Sequence, residues 1–302
     1  MRHERWTSLV VRVALFYFSL AVICQDVHAQ AETPFRLLNA GVPMISIQVN
    51  DQGPFNFLID TGTDTTIVGL TLARQLSLAA VDHVRLNTLA GSEDSVESVV
   101  RRLTIGLVRA DDLRVLVEDL SSVRKIFPGV DGVLGENFLS RFNYTLDYRA
   151  HSIRFELNNE VRDTLYGEKV PILQTGGRLI VLAEAEADGH AKLRLTLDSG
   201  ANSLLLLNRA CEALGLSTSA TTIRRIGWGA SKFAVGRVRT LAIGSQRFYD
   251  VQAFLPTEPA VWERLEDGVL PAKFFDALYV NNHEGFVVLN PRVLASPTAP
   301  ER

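Results

Sequence analysis

The sequence predicts an all-β protein built as two similar lobes with a few short helices. Three observations predict it. Landmarks recur in one order along the chain: Asp60 as Asp198 and Gly106 as Gly244, each 138 residues on, and Asp131 as Asp267, 136 residues on. Both copies consist mostly of short runs alternating apolar and polar residues, the period of a half-buried strand. Clusters of Asn, Asp and Gly punctuate those runs as turns. A period this long marks a duplicated domain, whereas a solenoid repeats over a few tens of residues.

Residues 1–31 are set aside as a secretory leader. Arg2, Arg5 and Arg12 give a basic start, Val13 to Cys24 is an apolar-leaning stretch too short to span a bilayer comfortably, and "VHAQA" offers small-residue cleavage points after Ala29 or Ala31. Ile23 is too bulky for Cys24 to read as a lipid-modified cysteine. An exported protein, periplasmic or secreted, without stable membrane insertion after cleavage, is expected. The strand-like "FRLLNAGVPMISIQVN" follows almost at once, so control by removal of a pro-segment is not expected. With Cys24 gone, Cys211 stands alone; no internal disulfide can form, and its place in the helical pattern "NRACEALGL" reads as a packed thiol.

The first lobe is expected over 33–158. "MISIQVN", a turn at "DQG" and "PFNFLID" form a hairpin, "LTLARQLSLA" is a short helix, "LAGSED" is a glycine-bearing turn, and "IRFEL" closes the copy. A polar linker is expected over 159–170, with Pro171 directly after it. The second lobe, 171–292, repeats the scheme with a hairpin around Asp188-Gly189, the short helix holding Cys211, the turn "IGWGASK" and the closing "FVVLN". The Pro- and Ala-rich tail 293–302 reads as disordered.

Bulk composition narrows the function. A chain of 302 residues, 47% hydrophobic and 22% charged, is ordinarily globular, and a formal charge of −3 argues against nucleic acid or an anionic membrane as partner. The chain has no G-x-S-x-G, no Walker loop and no full G-x-G-x-x-G, which weakens serine hydrolase, NTPase and dinucleotide readings. His83, His151, His190 and His283 lack metal-ligand spacing, and neither metal nor cofactor is expected.

What stands out is an aspartate at the end of an apolar strand, twice. Phe57-Leu58-Ile59 leads into Asp60, and "LRLTLD" leads into Asp198. Burying a carboxylate costs several kcal/mol unless it is paired or hydrogen-bonded. Duplicated lobes tend to pack about a pseudo-twofold axis, where equivalent tips meet, so Asp60 and Asp198 are expected to face each other. Two such carboxylates cannot both ionise cheaply and titrate as a unit. Gly62 and Gly200 permit a tight turn that points amide hydrogens at the carboxylates, while the hydroxyls of Thr61 and Ser199 can brace the opposite loop. Asp131 and Asp267 read as structural turn residues before a strand.

"DTGT" at 60–63, "DSGA" at 198–201 and "DGVLGENFL" at 131–139 resemble the pepsin and retropepsin-like aspartic proteases, especially exported bacterial two-lobe members. The resemblance spans nearly all of 35–292 and implies a retropepsin-like fold in both lobes. It implies that Asp60 and Asp198 hydrolyse peptide bonds by general acid–base catalysis through a shared water, the dyad being a standard example of split carboxylate ionisation. It further implies that Val133-Leu134-Gly135 supports the first tip and that a flap closes over substrate, with Gly91, Trp228 and Gly229 as candidates. Both half-sites lie in one chain, so a monomer acting on peptide or protein is expected.

Two asymmetries stand out. Thr63 can add a hydroxyl bond to Asp60 where Ala201 cannot for Asp198, which favours Asp60 as the ionised base and Asp198 as the protonated acid. Pro271 replaces Gly135, so the support behind Asp198 must differ. A peptide-binding module of weak or no activity is the alternative that Pro271 favours. A glycosidase using two carboxylates would want sugar-stacking aromatics, and only Trp228 and Trp262 remain after the leader.

Overall fold

The computed structural model describes residues 32–88, 91–156, 165–175, 177–217, 220–226, 229–257 and 266–293. The leader, most of the expected tail, Trp228, Trp262 and part of the linker lie outside these residues.

The first lobe runs through β1 (Glu32–Leu37), β2 (Pro43–Val49), β3 (Gln52–Ile59), β4 (Ile67–Gly69), β5 (Ala80–Thr88), β6 (Gly91–Ile105), β7 (Val108–Glu118), β8 (Gly132–Leu134), β9 (Tyr144–Asp147) and β10 (Ser152–Phe155). The β2–β3 turn falls on Asn50 and Asp51, one position earlier than "DQG". Both sit at positive φ, 52° and 62°, which suits short polar side chains and the twist of a two-residue hairpin. Short helices occupy Leu70–Gln75, Ser121–Arg124 and Glu136–Leu139.

The three-residue strand β8 positions the site. It pairs parallel with β3, from Phe57↔Gly132 to Ile59↔Leu134, and antiparallel with β4. Because strand side chains alternate, Phe57 and Ile59 enter the main core, while Leu58 packs on the other face with Val42, Met44, Ile67 and Val133.

After the two-residue β11 (Leu165–Tyr166), the second lobe repeats the plan. It comprises β12 (Lys169–Thr175), β13 (Arg178–Glu186), β14 (His190–Asp198), β15 (Leu204–Leu206), β16 (Ala220–Ile226), β17 (Gly229–Ile243), β18 (Gln246–Pro256), β19 (Gly268–Pro271), β20 (Ala277–Asn281) and β21 (Phe286–Leu289). Here β19 lies parallel to β14 and antiparallel to β15, as β8 does to β3 and β4. A helix spans Asn208–Leu214 and closes on Gly215 at φ 58°. Strand β12 begins at Lys169, inside the stretch read as linker, because Lys169–Pro171 pairs with β21. A small ladder joins β11 to β22 (Arg292–Val293).

An antiparallel sheet shared by the lobes, in the order β1–β10–β9–β20–β21–β12, ties them together. Its centre is the β9–β20 pairing, where Leu146 meets Leu278 and Tyr144 meets Val280, and a continuous apolar core runs through both lobes at this seam. The fold is therefore all-β, two-lobed and retropepsin-like. Among the described residues no helix is long and apolar enough to cross a membrane.

Candidate active site

Asp60 directly follows β3 and Asp198 ends β14, and each is partly buried. The Asp60 amide donates to the carbonyl of Leu134 on the support strand at 3.0 Å. The adjoining hydroxyls cross between lobes. Thr61 Oγ1 donates to the Leu197 carbonyl at 2.7 Å and accepts from the Ser199 amide at 3.0 Å. Ser199 Oγ donates to the Ile59 carbonyl at 2.7 Å and accepts from the Thr61 amide at 3.1 Å. Both side chains are 1% exposed. In a dry environment such bonds resist breakage, because an orphaned partner costs about 1–3 kcal/mol. The brace fixes the two aspartates relative to each other.

How closely the tips approach is shown by the glycines. A Cβ on Gly62 would lie 2.5 Å from Cγ and Oδ2 of Asp198, and one on Gly200 would lie 2.7 Å from Cγ of Asp60. Each tip leaves room only for the other lobe's carboxylate.

Each aspartate receives two donors from its own loop, distributed differently. Gly62 N–H reaches Asp60 Oδ1 and Thr63 Oγ1 reaches Asp60 Oδ2, both at 2.9 Å. Gly200 and Ala201 N–H both reach Asp198 Oδ1, at 2.7 and 3.0 Å. Ala201 thus supplies by its backbone what Thr63 supplies by its side chain, so the lobes differ in which oxygens are occupied and not in the number of donors. Asp198 Oδ2 takes no donor from its own loop. Burial, the Asp60 charge and a hydrogen bond to Asp60 hold the Asp198 carboxyl well above the usual carboxylate range, with the two backbone donors partly offsetting this.

The support strands differ. In the first lobe Gly135 N–H donates to Thr66 Oγ1 at 3.1 Å, and Asn137 Oδ1 accepts from both the amide and the hydroxyl of Thr66. A Cβ on Gly135 would meet the backbone of Thr63, Thr65 and Thr66 at 2.8–2.9 Å. In the second lobe Pro271 pairs in register beside Asp198 at an ordinary φ of −62°. Leu204 stands at the end of β15 next to this support. Pro271 fits its strand without displacing the tip.

An ion-pair group that the sequence reading missed joins the lobes. Arg178, from the second, holds Asp64, next to the first tip, through two nitrogens at 2.7 and 3.1 Å. A third nitrogen binds Glu266 at 2.8 Å. The available signal was an acid immediately after "DTGT", but sequence cannot choose its partner across 114 positions. Asp131 and Asp267 do more than turn the chain: each accepts a backbone amide from the neighbouring strand, that of Asn56 at 3.0 Å and that of Arg194 at 2.8 Å.

The flap candidates lie at hairpin ends. Gly91 opens β6 opposite Thr88, and Gly229 opens β17 opposite Ile226. Trp228 lies outside the described residues. Cys211 is half-buried against the core, with its thiol pushed up by burial to about 11, away from the reactive thiolate range. Among the described residues no cluster of His, Cys, Asp or Glu could hold a metal ion.

A duplicated β-fold bringing two Asp-Thr/Ser-Gly tips together across crossed hydroxyls defines the acid-protease class. The chain belongs to the aspartyl protease family, whose model matches residues 45–138 and again 183–272. No curated protein matches it. Among solved structures, it is similar to a retropepsin-like aspartic protease from Rickettsia conorii, with 19% identity, 41% of this chain and 89% of that chain covered, and a TM-score of 0.32.

Proposed function

We propose that the protein is an aspartic endopeptidase that hydrolyses peptide bonds with a water activated between Asp60 and Asp198. The observation that carries this reading is the mutual approach of the carboxylates, each packed against the opposite tip glycine. Asp60, with a donor on each oxygen, is the base that takes a proton from water as its oxygen attacks the scissile carbonyl carbon. Asp198 gives its proton to the carbonyl oxygen. The proton held on Asp60 then passes to the leaving nitrogen as the C–N bond breaks, one hydroxyl of the tetrahedral intermediate returns a proton to Asp198 as the C=O bond re-forms, and one water is consumed overall.

Thr61 and Ser199 hold the pair, Gly62 and Gly200 admit it, and Gly135 supports the first tip. The hairpins that begin again at Gly91 and Gly229 close over peptide, and Trp228, next to Gly229 in the sequence, is the aromatic candidate for this role. The substrate is peptide or protein, the working form is a monomer, and the basic-apolar-small leader pattern supports export to the periplasm or medium.

The test is cleavage of a mixed peptide library by the leaderless protein from about pH 3 to 7, with Asp60→Asn alongside. Pepstatin-sensitive turnover that the variant lacks is expected. Pepstatin binding without turnover would replace this reading with a peptide-binding module.

A further inference from the structure

The first lobe carries a carboxyl group into its core that the mechanism above does not use. Glu136 follows the support strand and is 1% exposed. Its amide donates to the Thr63 carbonyl at 2.8 Å, in the loop whose Thr63 hydroxyl holds Asp60. No strict hydrogen bond reaches either oxygen of its carboxyl or the buried hydroxyls of Tyr144 and Tyr148; the Tyr144 hydroxyl is the donor that faces the Glu136 carboxyl. Tyr144 acts on Glu136 as that donor, Tyr148 acts on Tyr144 by charge, and the series ends at the catalytic pair, since both aspartates act on Tyr148 and Asp60 acts on Glu136.

The second lobe has no counterpart. Ala272, fully buried, stands where Glu136 does, and Leu278 stands in place of Tyr144. Asn282 replaces Tyr148, and its amide donates to the carbonyls of Leu139 and Phe142. The unmatched polar group therefore lies behind Asp60 alone.

We propose that Glu136 is a positioning residue for the catalytic pair: it stays a neutral acid beneath Asp60, which leaves Asp60 free to carry the pair's negative charge, and losing its proton disables the pair at the alkaline end of the working range. This rests on the protease reading. An ionised carboxylate without a partner is costly in such a site, and a second charge beside Asp60 would draw the shared proton onto Asp60. The groups facing Glu136 are Asp60 and Asp64 from the tip loop and Tyr144 from β9. Tyr148 lies beyond Tyr144, and Arg178 lies one group further out, on Asp64. Burial raises the Glu136 carboxyl well above the ordinary range, the Asp60 charge adds to this, Tyr144 offsets part of it, and Asp64 adds again.

Glu136→Gln has the same shape and cannot ionise. Two curves decide the matter, peptide cleavage against pH and Tm against pH, for the wild type and this variant. In the variant the alkaline limb of cleavage moves up by about half a pH unit or more. The raised group keeps its proton when folded and loses it when unfolded, so wild-type stability falls as pH rises above the ordinary glutamate range. The Tm advantage of the variant therefore grows between about pH 4 and 7. Superimposed cleavage profiles overturn the proposal and leave the protease reading standing, and so do parallel Tm curves. A wild type with no turnover at any pH overturns the protease reading itself. Should Glu136→Gln not fold, Tyr144→Phe removes the hydroxyl that eases Glu136 ionisation; its alkaline limb must also move up, by less, and an unmoved limb refutes the proposal.

Discussion

Behind Asp60 the support segment reads Gly135, Glu136, Asn137; behind Asp198 it reads Pro271, Ala272, Lys273. The first lobe holds its tip with polar bonds, from Asn137 to Thr66 and from Thr66 to the Gly135 amide. The second sets a fixed-φ residue and a buried methyl group in the same place. What the lobes share is what the geometry of the pair requires of both: the crossed hydroxyls, the tip glycines and the aspartate tying the support strand to its neighbour. What they do not share bears on charge. Two lobes of one descent can thus keep a twofold frame while making its two carboxylates chemically unequal.

The largest expected effect tests the shared part. Asp60→Asn and Asp198→Asn should each lower kcat/KM for peptide cleavage by at least about a thousandfold while leaving the fold intact. Survival of activity in either would break the equivalence of the tips. Next come changes where backbone or ion pairs are crowded. Gly135→Ala should cost about 1–3 kcal/mol by denaturant unfolding, because backbone atoms must move to admit the Cβ. Arg178→Leu should cost about 2–3 kcal/mol, since the Glu266 side chain it contacts is 2% exposed; a loss below about 0.5 kcal/mol would show that this junction between lobes carries little.

A smaller effect sharpens the difference in charge. The raised Asp198 carboxyl keeps its proton in the folded protein and loses it in the unfolded chain above about pH 4, so its stabilising contribution is lost as pH rises from there. The slope is at most about 1.4 kcal/mol per pH unit for this one group. Asp198→Asn should flatten the Tm–pH curve, and an unchanged slope would place the proton elsewhere. The smallest effect belongs to Pro271→Gly, expected to destabilise by less than about 1 kcal/mol through a looser unfolded chain. A gain in stability would mean that the proline strains its lobe.

Much of the fold was legible because duplication and alternation are written along the chain. The β2–β3 hairpin, the hairpin around Asp188-Gly189 and the helix holding Cys211 announce themselves locally, although the first turn falls on Asn50-Asp51, one position before "DQG". Within the site, Asp60, Asp198 and their glycines were legible because the same tip occurs twice. The donor from Ala201 was missed because a backbone amide leaves no mark on residue type. Glu136 was hidden inside a motif that drew notice for its apolar residues, although an acid within that segment was the signal. Nothing in the sequence sets Tyr144 and Tyr148 apart from the chain's other tyrosines.

The sequence by itself determined that two like lobes exist, that their strands alternate, and that each ends one strand in an acidic tip with a glycine two residues on. These are local properties, set by side-chain period and turn chemistry. Only the tertiary structure decided which oxygen of Asp198 its own loop leaves without a donor, that Arg178 reaches Asp64 from the other lobe, and that Glu136 lies against Tyr144 behind Asp60. Those contacts join residues 8 to 138 positions apart, and their charges depend on burial, which packing sets and residue order does not state.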